Sequence, residues 1–250
     1  MSRPPHLLFL PGLACDADVW QDQVRALSKL TTVSVADYGA SDSIAKMAEV
    51  ALSGAPDRIA IVGHSMGGRV AFEIMRTAPE RVAGLALLDT AYRPFPGGEQ
   101  GDREIAARSA LLHIARTKGT RAMAEYWIEN IVHRDRLADK TLIGAIIEMM
   151  GRKTPEIFAA QIKALLARPN AEPVLSTIKC PTLVLVGRED LWSPIAGHRE
   201  IAAAIPGSHL VIVEHCGHMA PMERPAEVTS ALVTWFQTIP YLIRKMPPLE

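Results

Sequence analysis

Short runs of apolar residues recur along the chain, each followed by a turn and then by helically spaced apolar positions. The runs are His6–Leu10, Thr32–Ala36, Arg58–Val62, Gly84–Leu88, Thr182–Val186 and His209–Val213. They are apolar throughout and do not alternate, which is the pattern of strands buried on both faces of a parallel sheet. Between them the spacing predicts helices over Asp18–Leu30, Ser43–Ala55, Met66–Thr77, Pro194–Ala204 and Ala226–Thr238. Alternating strands and helices predict an α/β fold: a mainly parallel sheet of about six strands, helices on both faces, and right-handed crossovers. Ligands of such sheets bind outside the carboxyl ends of the strands.

The alternation stops between Arg93 and Pro173. Pro94, Pro96, Gly97 and Gly98 read as a linker, and helices are predicted over Ile105–Thr117, Arg121–Ile131, Leu142–Met150 and Pro155–Ala167. Thr154-Pro155 has the form of an N-cap followed by proline at the first helical position. Pro169 and Pro173 read as the end of the segment. The expected organisation is one interrupted domain. Residues 1–92 and 174–250 would form the α/β core, and 93–173 an inserted helical lid ahead of the last two strands.

Composition excludes more than it names. The chain has 27 basic and 27 acidic residues, so it lacks the basic excess of a nucleic-acid binder. With 48% hydrophobic and 22% charged residues it belongs among ordinary globular chains, not disordered ones. Three cysteines, Cys15, Cys180 and Cys216, are too few for a disulfide scaffold and suit a reducing compartment. Charges or Pro-Gly interrupt every apolar stretch before membrane length. The expectation is a cytoplasmic protein with neither a membrane nor a nucleic-acid partner. The expected lid carries 13 basic against 10 acidic residues, a weak positive bias.

Chemistry enters at Gly63-His64-Ser65-Met66-Gly67, a G-x-S-x-G pattern lying between a predicted strand and a predicted helix. A serine on so sharp a turn needs small neighbours, and the turn aims its hydroxyl into the cleft and the Met66 N–H at a developing oxyanion. A serine hydroxyl needs a histidine base and an orienting acid. Both follow in the order serine, acid, histidine: Gly187-Arg188-Glu189-Asp190 after the fifth strand, and Gly217-His218 after the sixth.

On these residues the chain resembles the α/β-hydrolase superfamily over nearly its whole length. Leu10-Pro-Gly-Leu13 resembles the oxyanion loop, Gly63–Gly68 the nucleophile elbow, Gly187–Pro194 the acid loop and Gly217–Pro225 the histidine loop. With its lid it is similar to the microbial group of small-ester, lactone and C–C hydrolases that includes methyl-ester esterases. The resemblance implies Leu13 and Met66 as oxyanion donors and favours Asp190 as the acid over Asp89 and Glu189, and His218 as the base over His215. Many members carry His-Gly where this chain has Pro11-Gly12, and the Leu13 N–H remains free to donate. The antiparallel hairpin that often begins the fold is expected to be absent or rudimentary.

The remaining polar and apolar candidates have competing readings. His215-x-x-His218 beside Cys216 has some look of a zinc site, but Gly217 breaks any helix that would align the pair, so no metal is expected. His64 reads as a packing residue at the elbow, and Cys15 and Cys216 as small buried side chains. Met123, Trp127, Met149, Met150 and Trp192 are candidates for the substrate pocket, with helix core as their alternative. The implied activity is that of a cofactor-free serine hydrolase cleaving a small carboxylic ester, or an acyl group linked to a carrier. An enol-lactone, thioester or C–C hydrolase would use the same residues. A slowly turning-over ligand receptor is the rival from another class.

Overall fold

The structure, a computed structural model, describes residues 4–240. Six strands are present: β1 (His6–Leu10), β2 (Val33–Val35), β3 (Ile59–His64), β4 (Val82–Leu88), β5 (Thr182–Gly187) and β6 (His209–Val213). All neighbours pair in parallel, in the order β2-β1-β3-β4-β5-β6. The burial of each strand follows from its place. β3 and β5 are buried at every residue, whereas β2 and β6, at the edges, are only partly covered. Burial on both faces is therefore fullest in the inner strands, where side chains on either side leave water.

Between β1 and β4 lie α1 (Gln21–Leu27), α2 (Ile44–Ser53) and α3 (Met66–Thr77). Between β4 and β5 lie α4 (Gly98–Lys118), α5 (Thr120–Trp127), α6 (Lys140–Gly151), α7 (Pro155–Leu166) and α8 (Glu172–Leu175). Then follow α9 (Ile195–Ala204), α10 (Ala220–Glu223) and α11 (Pro225–Thr238). Around the sheet α1 packs against α11, α2 against α3, and α9 against β5 and β6. The helices after β4 pack chiefly on one another, α5 on α4 and α6, and α7 on α4. Among the described residues no helix is long and apolar enough to cross a membrane.

Several boundaries differ from those expected. The first helix begins only at Gln21, because Ala17–Trp20 forms a 3-10 turn capped by Asp16. The second strand shrinks to three residues. The expected linker glycine Gly98 already opens α4, whose first turns are polar and so carry no apolar spacing to reveal them. Thr154 does cap α7, accepting a hydrogen bond from the Ile157 N–H at 3.3 Å, with Pro155 next in line. Pro173, expected to end the helical run, instead lies in the first turn of α8, where a missing N–H costs nothing.

The sheet order reverses between β1 and β3, whose carboxyl ends are adjacent. Such a reversal opens a crevice above the sheet edge. Here it lies between the turn after Leu10 and the turn carrying Ser65.

Candidate active site

Strand β3 runs straight into α3 with only Ser65 between them, and the change of direction forces that residue to φ +54° and ψ −115°. This is a costly backbone conformation for a residue with a side chain, of order 1–3 kcal/mol. Two glycines permit it by close approach. A Cβ on Gly67 would lie 2.0 Å from the Leu10 carbonyl oxygen, and one on Gly63 would lie 2.6 Å from that of Gly67. The turn leaves Ser65 at the amino end of a three-turn helix, where the N–H groups and the helix dipole favour negative charge.

His218 and Asp190 arrive from the loops after β6 and β5. His218 Nε2 lies 2.8 Å from Ser65 Oγ, and its Nδ1 lies 2.8 Å from Asp190 Oδ2. The other Asp190 oxygen accepts the N–H groups of Trp192 at 2.8 Å and Ser193 at 2.9 Å. Burial works against the Asp190 charge, but the His218 imidazole and these two N–H groups hold its pKa below the usual carboxylate value. Asp89, the competing acid, is in the opposite state. Complete burial, and then the charge on Asp190, raise its pKa well above the ordinary range. One Asp89 oxygen accepts the Gly187 N–H at 2.9 Å and the other has no hydrogen-bond partner. Asp89 thus clips the end of β4 to the start of the acid loop through the Gly187 N–H. Glu189, the third contender, accepts the Cys216 N–H at 3.0 Å and ties the acid loop to the histidine loop.

Leu13 and Met66 both line the cavity beside Ser65. No acceptor for the Leu13 N–H is found among the described residues. The loop after β1 is fixed without a histidine at position 11: Tyr38 Oη donates to the Pro11 carbonyl, and the Ala14 N–H donates to Gln161 Oε1 of α7 at 2.9 Å. His64 fills the space that Gly12 leaves open, since a Cβ on Gly12 would lie 2.8 Å from His64 Nδ1. His64 Nε2 donates to the His218 carbonyl at 2.8 Å, and burial, then the neighbouring His218, lower its pKa to about 3. It is a neutral strut holding the histidine loop.

The pair His215 and His218 does not converge. His218 faces Ser65, while His215, at φ +51°, sets its ring edge-on to that of His133. His133, Asp135 and His215 bring three possible ligand atoms within 4.8 Å of one another, with Asp135 and His215 exposed. Cys15 and Cys216 are buried thiols. Burial raises both pKa values, that of Cys15 to about 12, so neither offers a thiolate.

The cavity over Ser65 has a volume of about 550 Å³. Trp127 and Trp192 line it, their rings meeting edge to face with centroids 5.4 Å apart. Met123, Met149 and Met150, also expected as pocket candidates, do not line it. They are buried to within 1% inside the helices after β4, because helical spacing directs them to the interior of that layer.

Sequence reasoning missed the residues that hold the loops. Glu223 is buried in α10, and its carboxylate accepts the N–H groups of His133, Gly217 and Met219 at 2.8–3.2 Å, cradling the histidine loop from beneath. His198, fully buried on α9, accepts the Thr90 N–H at 2.9 Å. Burial lowers its pKa to about 4. A lone glutamate or histidine in a polar stretch carries no mark of such a role. The nearest signal is Gly217, where a Cβ would lie 3.0 Å from Glu223 Oε1.

The sequence pattern of the alpha/beta hydrolase family matches residues 7–231, which include the elbow, the acid loop and the histidine loop. The chain belongs to that family. Among the relatives of this alpha/beta hydrolase is the pimeloyl-acyl-carrier-protein methyl ester esterase of Nitrosomonas europaea, 26% identical over 90% of this chain and 93% of the relative. A thermophilic esterase from Thermogutta terrifontis superposes with a TM-score of 0.83 at 28% identity, covering 96% of this chain and 92% of the other. The enol-lactonase of Burkholderia xenovorans LB400 superposes at 0.80 with 25% identity, covering 94% and 92%.

Proposed function

We propose that this alpha/beta hydrolase is a serine esterase that cleaves a small carboxylic ester through an acyl-enzyme on Ser65. The observation that carries this reading is the unbroken hydrogen-bonded chain from Ser65 Oγ through His218 to Asp190, at 2.8 Å for each link. His218 Nε2 takes the serine proton as Oγ attacks the carbonyl carbon, and Asp190 holds the imidazole tautomer and stabilises the imidazolium. The oxyanion of the tetrahedral intermediate lies between the N–H groups of Leu13 and Met66, each worth about 2.7–4 kcal/mol in such holes. His218 then protonates the departing alcohol. Water deprotonated by His218 attacks the acyl carbon, releasing the acid and restoring Ser65.

In this reading residues 93–173 act as a lid on the core formed, among the described residues, by 4–92 and 174–240, with Trp127 brought over the nucleophile from that side. The esterases among the relatives support the ester bond, and the methyl ester esterase supports an acyl group presented on a carrier protein. The lactonase, which shares the fold at 25% identity, favours an enol-lactone as the second reading, since ring opening needs the same nucleophile and hole.

The test is Ser65→Ala assayed on short-chain methyl and p-nitrophenyl esters. Turnover should fall by about 10³-fold or more, as it does when a triad member is removed. A fluorophosphonate should label the wild type and not the variant. Unchanged turnover in the variant rejects the mechanism, and stoichiometric labelling without multiple turnovers on any ester or lactone would favour a receptor.

A further inference from the structure

The cavity over Ser65 is rich in guanidinium groups. Arg69, Arg93, Arg103, Arg108 and Arg168 line it, and Glu104 is the one carboxylate among its lining residues. Most of these charges are answered locally. Glu104 receives Arg108 Nε at 2.9 Å and Arg168 Nη1 and Nη2 at 2.7 and 2.8 Å. Arg93 pairs with Glu200, and Arg103 with Glu99. Arg69 is different. Its Nη1 donates to the Arg93 carbonyl at 2.9 Å, and among the described residues no carboxylate pairs with it. Burial, and then the charge on Arg168, act against its cationic form. Glu104 thus pairs with Arg108 and Arg168 and not with Arg69, and among the described residues the buried Arg168 Nε has no hydrogen-bond partner.

A guanidinium set into a cavity wall without a counter-charge is unfavourable unless something that binds there supplies the charge. Its position tells what that would be. Arg69 lies in the first turn of α3, four residues beyond Ser65, and both line the same cavity. We propose that Arg69 forms an anion subsite beside the nucleophile and that the substrate is an ester bearing a second, free carboxylate on a short spacer. The planar fork of arginine matches a carboxylate through two parallel N–H···O bonds. The inference rests on the esterase reading and narrows it to monoesters of dicarboxylic acids or their equivalents.

Two measurements separate the subsite from the chemistry. In the first, monomethyl succinate, glutarate and adipate are compared by pH-stat with the methyl esters whose free carboxylate is replaced by a carboxamide. The wild type should favour the carboxylate in kcat/KM by on the order of tenfold to a hundredfold for at least one spacer, the range of a hydrogen bond to a charged group. Arg69→Met should bring that ratio close to one, and Arg69→Lys should restore part of it. Equal rates on both series in the wild type, or a preference that survives in Arg69→Met, overturns the subsite and leaves the esterase reading standing. In the second, glutarate, glutaramide and inorganic phosphate compete with fluorophosphonate labelling of Ser65 in the wild type. Glutarate alone should protect. Equal protection by glutaramide, or better protection by phosphate, overturns the assignment. Protection by glutarate without turnover of any ester would uphold the subsite and reject the esterase.

Discussion

The carboxyl edge of the sheet and the helices after β4 face each other across one cavity, and they are built by opposite rules. At the edge, backbones meet at contact distance, Ser65, Asp89 and His215 sit at positive φ, and buried carboxylates and histidines clip one loop to the next. Across the cavity, ordinary helices contribute side chains: Trp127, Arg108, and Arg168 just beyond α7. The positions of Ser65, Asp190 and His218 are therefore decided by backbone geometry at the edge, and the character of the pocket by side chains opposite it. Changes at the edge should damage the whole fold, whereas changes among the helices should be absorbed.

Two helical glycines provide the sharpest break point. Glycine in a helix interior normally costs about 1 kcal/mol relative to alanine. In Gly67→Ala that gain is overwhelmed, because the new Cβ would meet the Leu10 carbonyl oxygen at 2.0 Å. Denaturant unfolding should show a loss of more than about 4 kcal/mol or failure to fold. A stable, active Gly67→Ala protein would sink the claim that the edge is set by backbone contact.

The buried histidines give the second contrast, through pH. His64 and His198 are fully buried, with pKa values lowered to about 3 and about 4. A histidine whose folded pKa lies below its unfolded value of about 6.5 binds more protons when unfolded, so stability falls as pH drops below that value and stops falling near the folded pKa. Between pH 7 and pH 5 each should withdraw about 2 kcal/mol. Urea titrations of the wild type and of His198→Gln at both pH values should show a shallower dependence in the variant. Equal slopes would remove His198 from the account.

The smallest effect is expected among the helices. Gly144 lies inside α6, and a Cβ there would meet nothing within 4 Å. Gly144→Ala should stabilise by about 0.5–1 kcal/mol, read as a modest rise in Tm. The same substitution thus has opposite signs on the two sides of the cavity, and a destabilised Gly144→Ala would erase the distinction.

Much of this was legible in one dimension. The apolar runs located all six strands, most clearly the four inner ones, because central parallel strands must be apolar on both faces. Ser65, Asp190 and His218 could be singled out because each lies one turn beyond a strand end, and parallel strands deliver such turns to one edge. The pocket was read less well. Met123, Met149 and Met150 share the apolar character of Trp127, and only the rotation of each helix separates the core residues from the lining ones.

By itself, then, the sequence determined the strands, the elbow and the order in which Ser65, Asp190 and His218 follow strand ends, since these can be read within a few residues of each motif. Only the tertiary structure decided that burial raises the pKa of Asp89 while its partners lower that of Asp190, that Glu223 and His198 hold the loops, and that among the described residues Arg69 pairs with no carboxylate. Those properties depend on burial and on partners as many as 108 residues away in the chain, as with Thr90 and His198. Desolvation and charge pairing act through space, and a linear pattern of polar residues does not encode which of them will meet.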